Sequence, residues 1–422
     1  MIIFLVAFVV LLVIGVPISI SIGASAVLGC VSLGYPLVVI GQKMVSGIDS
    51  FLLIAVPLFI LAGNLMNAGK ITEKIFDTAK ELVGWIPGGL AHANVVASVI
   101  FAGMSGSAVA DAGGLGAIEM EAMTKNGYDE EFAGAVTAAS SVIGPIFPPS
   151  IPLIIYGSVA SVSVDKLFMG GVMPAVLMCV LLMAMIYYFA VKRKYERTAF
   201  HFKKLIKQFM GSIPALITPL IILSGFTLGW FTPTEASSIA VIYSLIIAIV
   251  VYRSMTWENF KKCLKDSAIS SANTLLIIGT STLFTYVMAK EGISRSMADF
   301  VLGISSNPAV ILLVINVILL LLGMVMEPGA ILTLMLPVLL PIANGLGLNL
   351  VHFGVMVVLN LMIGQVTPPF GVCLFVISDV NRLRLESLYK SILPFLIPLI
   401  VTLLLVTYVP GIVTWLPGVL LG

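Results

Sequence analysis

The chain has 422 residues, of which 59% are hydrophobic and only 10% charged, and its mean hydropathy is +1.14. A soluble domain carries roughly 25% charged residues, so no aqueous fold could hide this much apolar surface, and lipid must be the solvent for most of it. The net charge of +2 is too small to suggest a nucleic-acid partner.

In chain order, apolar stretches that could enter a bilayer lie at 2–14, 18–34, 51–67, 88–104, 133–163 and 167–191 in the first half. The second half offers 212–230, 236–252, 268–289, 308–324, 331–346, 353–380 and 390–409. A full helical span needs about 20 residues, and several of these are shorter or interrupted by Gly and Pro. The first run lacks a basic leader and an A-x-A cleavage site, so it reads as a retained span. Two polar stretches, 70–83 and 256–266, have amphipathic helical spacing and are expected along the membrane surface. Cys30, Cys179, Cys263 and Cys373 lie scattered in or beside apolar segments, without metal-site or disulfide spacing, and read as small buried hydrophobes.

The longest basic connection runs Lys192-Arg193-Lys194-Tyr195-Glu196-Arg197 and continues with Lys203, Lys204 and Lys207. The positive-inside rule assigns it to the cytoplasm, and counting spans outward brings Arg253, Lys261, Lys262, Lys265, Arg382 and Arg384 to the same side. Trp85, Trp230 and Trp257 sit near span ends, where interfacial anchors belong. Thr232-Pro233-Thr234-Glu235 reads as a capping box with a proline at the first helical position, which gives Glu235 a structural role.

The sequence also matches itself. At an offset of 220 residues Gly103-Met104 pairs with Gly323-Met324, Ile143-Gly144 with Ile363-Gly364, Pro148-Pro149 with Pro368-Pro369, and Pro174 with Pro394. The expected fold is an all-α polytopic membrane protein of two repeats, 1–210 and 211–422. Each repeat holds a re-entrant helical hairpin (tips about 103–114 and 323–331) and a broken transmembrane helix (about 133–163 and 353–380). An odd number of crossings per half makes the repeats inverted, with both termini periplasmic. Inverted repeats with unwound helices at mid-membrane characterise secondary transporters.

The broken spans carry the chemistry. Consecutive prolines donate no backbone hydrogen bond and disfavour helix before them, so the chain must open around 144–150 and 364–370. Freed carbonyls at membrane depth are tolerated around a cavity or inside protein, and with Ser and Thr hydroxyls they form an all-oxygen site suited to a hard cation such as sodium. A proline kink that only shapes packing is the alternative. Asp111 and Glu327 are acids in apolar surroundings at the hairpin tips, where each either faces a wet cavity or caps a helix.

At these residues the chain resembles the large membrane subunit, DctM-like or SiaM-like, of the tripartite ATP-independent periplasmic (TRAP) transporters. The resemblance spans essentially the whole chain and rests on Gly-Ser-Ala-Val-Ala-Asp at 106–111, Ile-Gly-Pro-Ile-Phe-Pro-Pro-Ser-Ile-Pro at 143–152, Phe-Thr-Pro-Thr-Glu-Ala at 231–236 and Thr-Pro-Pro at 367–369. It implies a sodium-coupled permease of the bacterial inner membrane with an ion transporter superfamily-like fold. In such an elevator a transport domain slides against a scaffold, each drawn from both repeats. It further implies a small four-helix membrane subunit (DctQ-like), a periplasmic substrate-binding protein (DctP-like) and a small carboxylate substrate: a C4-dicarboxylate, sialic acid or a sugar acid. Carried over residue by residue, Ser105, Ser107, Gly144, Ile146 and Pro148 resemble a first sodium site, and Gly323, Gly364, Val366 and Thr367 a second. Ser107, Asp111, Ser150 and Glu327 would face the substrate.

Other classes lack their signatures. His92, His201 and His352 stand beside no nucleophile or ligand pattern, and no HExxH, GxSxG or Walker A motif occurs, which argues against an enzyme or an ATP-driven pump. Paired broken helices favour alternating access over a channel. A stand-alone sodium–carboxylate symporter of related architecture is the alternative reading.

Overall fold

The structure is a computed structural model that describes residues 2–195, 197, 201–305 and 307–422; Glu196 of the basic connection lies outside them. The first half comprises α1 (Ile2–Val13), α2 (Ile18–Ser32), α3 (Val38–Ile48), α4 (Ala55–Ala68) and α5 (Ile71–Val83). It continues with α6 (Gly89–Ser105), the short α7 (Ala108–Ala110), α8 (Gly116–Lys125), α9 (Glu130–Ser141), α10 (Ile151–Ala160) and α11 (Val164–Arg193). The second half comprises α12 (Phe202–Thr227), α13 (Pro233–Ile246), α14 (Trp257–Lys290), α15 (Ile293–Ile304), α16 (Pro308–Val325) and α17 (Pro328–Gly345). It ends with α18 (Leu350–Gly364), α19 (Val372–Asn381), α20 (Leu385–Tyr408) and α21 (Gly411–Leu420). Eight helices among the described residues are long and apolar enough to cross a membrane. The chain is an all-helical, multi-pass protein.

Local chemistry sets the element boundaries. Thr232 and Glu235 form the expected capping box: the Thr232 hydroxyl accepts from the Glu235 N–H at 3.3 Å and the Glu235 carboxylate from the Thr232 N–H at 2.8 Å. Pro308 and Pro328 open α16 and α17 at positions that need no N–H donor. Asn349 caps α18 by accepting from Val351 N at 2.9 Å and His352 N at 3.2 Å.

The stretch 256–266 departs from its expected place on the membrane surface. It forms the first turns of the 34-residue α14, which Thr256 caps and no proline interrupts. The stretch 70–83 does form a separate helix, α5, but its apolar face (Ile71, Ile75, Phe76 and Ala79) is buried, and the helix packs on α6 and α12. Helices α3 and α21 were not among the expected spans.

Matching elements take matching places. The first hairpin arms, α6 and α16, pack on the first pieces of the broken helices of their own halves, α9 and α18. In each half a buried asparagine fastens this contact. Asn94 donates to Thr137 Oγ1 at 2.8 Å and accepts from Ser140 Oγ at 2.6 Å. Asn360 donates to the Asn316 side-chain and backbone oxygens at 2.8 and 2.9 Å, and Asn316 donates to Thr407. The second pieces cross over: α10 packs on α17, and α19 packs on α8 and the π-turn Asp111–Leu115 that precedes it. Around this unit α14 packs on α2, α3 and α4, and α13 on α4.

Candidate functional site

Both helices open at their paired prolines. In the first, α9 stops at Ser141 and α10 begins at Ile151; in the second, α18 stops at Gly364 and α19 begins at Val372. The peptide bonds Pro148–Pro149 and Pro368–Pro369 are both cis. Residue 148, a proline, has no N–H to return to the Gly144 carbonyl, so that oxygen loses its α-helical donor. The Pro145 carbonyl, which would face residue 149, accepts the Ser150 hydroxyl instead. Ser150 also caps α10, accepting from Leu153 N at 3.2 Å, and is fully buried.

Each hairpin tip seats on the break of its own half. In the first, the chain turns at Gly106, whose φ of +60° suits glycine. A methyl group there would lie 2.7 Å from the Pro149 carbonyl oxygen. Ser107 caps the following turn by accepting from Ala110 N at 3.4 Å. Asp111 is 2% exposed; its Oδ1 accepts from Ser105 Oγ at 2.7 Å, and its Oδ2 backs onto Gly144, where a methyl would come within 2.6 Å. In the second, Gly364 lies against Gly323 so closely that a methyl on either would meet the other's backbone, at 2.6 Å on Gly364 and 3.3 Å on Gly323. Gly371 N donates to the Met324 carbonyl at 3.1 Å.

Between the two tips and the two breaks lies a cavity of about 320 Å³. Ser105, Gly106 and Ser107 reach it from the first tip, Glu327 and Pro328 from the second, Pro145 from the first break and Gln365 from the second. Asn64 of α4 and Ser270 and Thr274 of α14 close its remaining side. Among the described residues no Lys, Arg or His lines it, so an anionic guest would meet hydroxyls, amides, backbone and one carboxylate among apolar side chains such as Ile60, Val109, Ile151 and Met362.

Of the residues singled out from the sequence, Ser105, Ser107 and Glu327 line this cavity, whereas Asp111 and Ser150 stand behind its wall. Gly144 sits at Asp111. The Ile146 carbonyl points at Gly171 of α11, and Pro148 lies at the cis bond. Val366 is buried, and the Thr367 hydroxyl donates to the Ile363 carbonyl at 2.7 Å. Asn64, Ser270, Thr274 and Gln365 were not singled out. The i, i+4 spacing of Ser270 and Thr274, and the amides Asn64 and Asn67 in the apolar run 51–67, were the available signals.

A second carboxylate, Glu119 on α8, is also buried, and neither its Oε1 nor Asp111 Oδ2 has a hydrogen-bond partner among the described residues. No group of three His, Cys, Asp or Glu side chains that could hold a metal ion occurs among those residues.

Comparison with known proteins agrees with this architecture. The profile of the family described as the tripartite ATP-independent periplasmic transporter, DctM component, matches residues 5–412. The chain is 45% identical over 386 residues to the sialic acid TRAP transporter large permease protein SiaM of Vibrio cholerae, covering 90% of each chain. It is 46% identical over 382 residues to the sialic acid TRAP transporter permease protein SiaT of Haemophilus influenzae; that match covers 90% of this chain and 62% of the Haemophilus protein. With the C4-dicarboxylate TRAP transporter large permease protein DctM of Vibrio cholerae it shares 34% identity over 435 residues, 98% of this chain and 96% of that one. Among solved structures, the YdaH transporter of Alcanivorax borkumensis has a similar fold, with a TM-score of 0.64, 14% identity and 89% of both chains covered.

Proposed function

The chain belongs to the DctM-component family of the tripartite ATP-independent periplasmic transporters, and on that premise we propose that it is the large permease subunit of a sodium-coupled importer of small carboxylates. The cavity between two hairpin tips and two helix breaks carries this reading, because a solute-sized space with hydroxyl, amide and carboxylate groups set among apolar side chains adjoins both proline-broken helices. The substrate that fits best is a polyhydroxylated acid of the sialic acid class. Glu327 would repel a bare dicarboxylate but can accept from sugar hydroxyls, and Ser105, Ser107, Ser270, Thr274, Asn64 and Gln365 add hydrogen-bonding groups to a lining that is otherwise largely apolar. The sialic acid permeases are also closer in sequence, at 45% and 46% identity, than the dicarboxylate permease at 34%.

In this reading sodium is cargo that couples the cycle, held chiefly by backbone oxygens around 144–148 and 364–367 together with Ser105 and Ser107. The hairpins and broken helices form the transport domain and move against a scaffold built around α2, α4, α13 and α14. A small membrane subunit flanks the scaffold, and a periplasmic binding protein delivers the solute. The protein sits in the bacterial inner membrane with both termini in the periplasm.

Uptake of radiolabelled N-acetylneuraminate into vesicles tests this. Wild-type uptake should need sodium and the cognate binding protein, and Ser107→Leu or Thr367→Leu should abolish sodium-driven uptake at normal protein abundance. Sodium-independent uptake, or unchanged behaviour of both variants, overturns the ion sites. Uptake without any binding protein overturns the tripartite reading.

A further inference from the structure

The solute cavity has a neighbour. A second cavity of about 290 Å³ lies along the same two helices, lined by Asn64 and Asn67 of α4 and by Asn259, Lys262, Cys263 and Asp266 of α14. Asn64 lines both spaces. At this shared residue Asn64 Nδ2 donates to Ser267 Oγ at 2.8 Å, and Cys263 Sγ donates to the Asn64 backbone carbonyl at 3.5 Å.

The spacing on α14 explains why the two spaces align. Asn259, Lys262, Asp266, Ser270 and Thr274 recur every three or four residues and so share one face of the helix. From Thr274 to Asn259 that face runs roughly 22 Å at 1.5 Å per residue. It leads from the solute cavity to the end of α14 where Lys261, Lys262 and Lys265 collect. Asn259, Lys262, Asp266 and Ser270 are exposed and Thr274 is half-buried, so the face is polar and open along its whole length beside Asn64. The charge pattern adds direction. The solute cavity offers no cation, whereas Lys262 and Asp266 are both exposed in the second cavity. The ion pairs among the described residues lie elsewhere, at Lys125–Glu121, Arg193–Asp129 and Lys204–Glu81.

We propose that this second cavity is a release station for the solute, in which Lys262 receives the carboxylate after it passes the Asn64–Ser267 contact. A carboxylate leaving a cation-free site gains attraction as it nears Lys262. Asp266, one helical turn nearer the solute cavity than Lys262, opposes that attraction and keeps the stop brief. The inference rests on the carboxylate-import reading above and adds a second solute site to it, on the scaffold face of the molecule.

The test uses sidedness. Right-side-out and inside-out vesicles carrying the full chain with its cognate partners are given radiolabelled N-acetylneuraminate, and in parallel succinate. Lys262→Glu should raise the half-saturating concentration on the cytoplasmic side by roughly two- to five-fold, the scale of one exposed charge. The periplasmic-side value should not change, Lys262→Arg should restore the wild-type value, and the effect should shrink at high salt. In a second measurement, Asn259→Cys should react with a membrane-impermeant maleimide in inside-out vesicles and be slowed by solute. Equal changes on both sides, no change with Lys262→Glu, or labelling of Asn259→Cys that solute does not slow each overturn the station while leaving the import reading standing. A wild type that moves neither solute overturns the import reading, and this one with it.

Discussion

At Gly364 a methyl group has nowhere to go. Its nearest neighbours would be backbone atoms of Gly323 at 2.6 and 2.7 Å, which cannot swing aside. Gly364→Ala should therefore cost about 1–3 kcal/mol, as overpacking typically does, and lower the melting temperature of the purified protein. Gly144→Ala meets a side chain instead, Asp111 Oδ2 at 2.6 Å. It should be milder, and its cost should shrink in an Asp111→Ala background; a double-mutant cycle on melting temperatures that comes out additive would show the two residues to be uncoupled. The same contrast separates what could be read in the sequence from what could not. Paired prolines and glycines state their backbone consequences wherever they occur, so the breaks near 144–150 and 364–370 were legible in advance. Thr274 was not. Its hydroxyl donates to the Ser270 carbonyl at 3.0 Å, a bond any span can satisfy, and only the approach of α4 and the hairpins makes this face a cavity wall. Asp111 shows the limit from the other side: the sequence marks it as an intramembrane acid, but its seat behind Ser105 depends on how the tip folds back.

Between elements, the buried asparagine contacts hold each hairpin to its broken helix. Asn360 and Asn316 are 0% and 4% exposed, and Asn360 supplies both donors that bind Asn316. Replacing Asn360 by Leu strands the Asn316 side-chain oxygen without water, which should destabilise the protein by about 1–3 kcal/mol. Asn94→Leu should have a comparable effect in the first half, since Ser140 and Thr137 lose their partner. Thermal unfolding in detergent measures both; if neither variant melts earlier, these contacts do not clamp the hairpins. Sequence periodicity misplaced one element, the stretch 256–266. A surface helix and the wet end of a long span share the same amphipathic period, and only the absence of a breaker before Gly279 distinguishes them. The packing of α5 on α6 and α12 was hidden for a related reason, because a protein neighbour and a lipid surface draw the same apolar stripe.

For the molecule as a whole, movement of the hairpin unit against its surroundings is the property to test. Ser50, just before α4, and Ser158, on α10, approach to 3.3 Å between hydroxyl oxygens across the proposed boundary between scaffold and transport domain. A Ser50→Cys/Ser158→Cys pair should form a disulfide under mild oxidation, stop uptake, and recover it on reduction. Undiminished uptake by fully cross-linked protein would mean that α10 does not slide past this point.

The crossover of α10 onto α17, and of α19 onto α8, makes each half the custodian of the other's fold. Neither half, produced separately, can give its hairpin's outer arm the packing it has here. A gene divided near residue 198 should thus yield two fragments that cells degrade when made singly. Made together, they should assemble and restore growth on the transported solute. Complementation of this kind would turn an architectural exchange into a genetic selection.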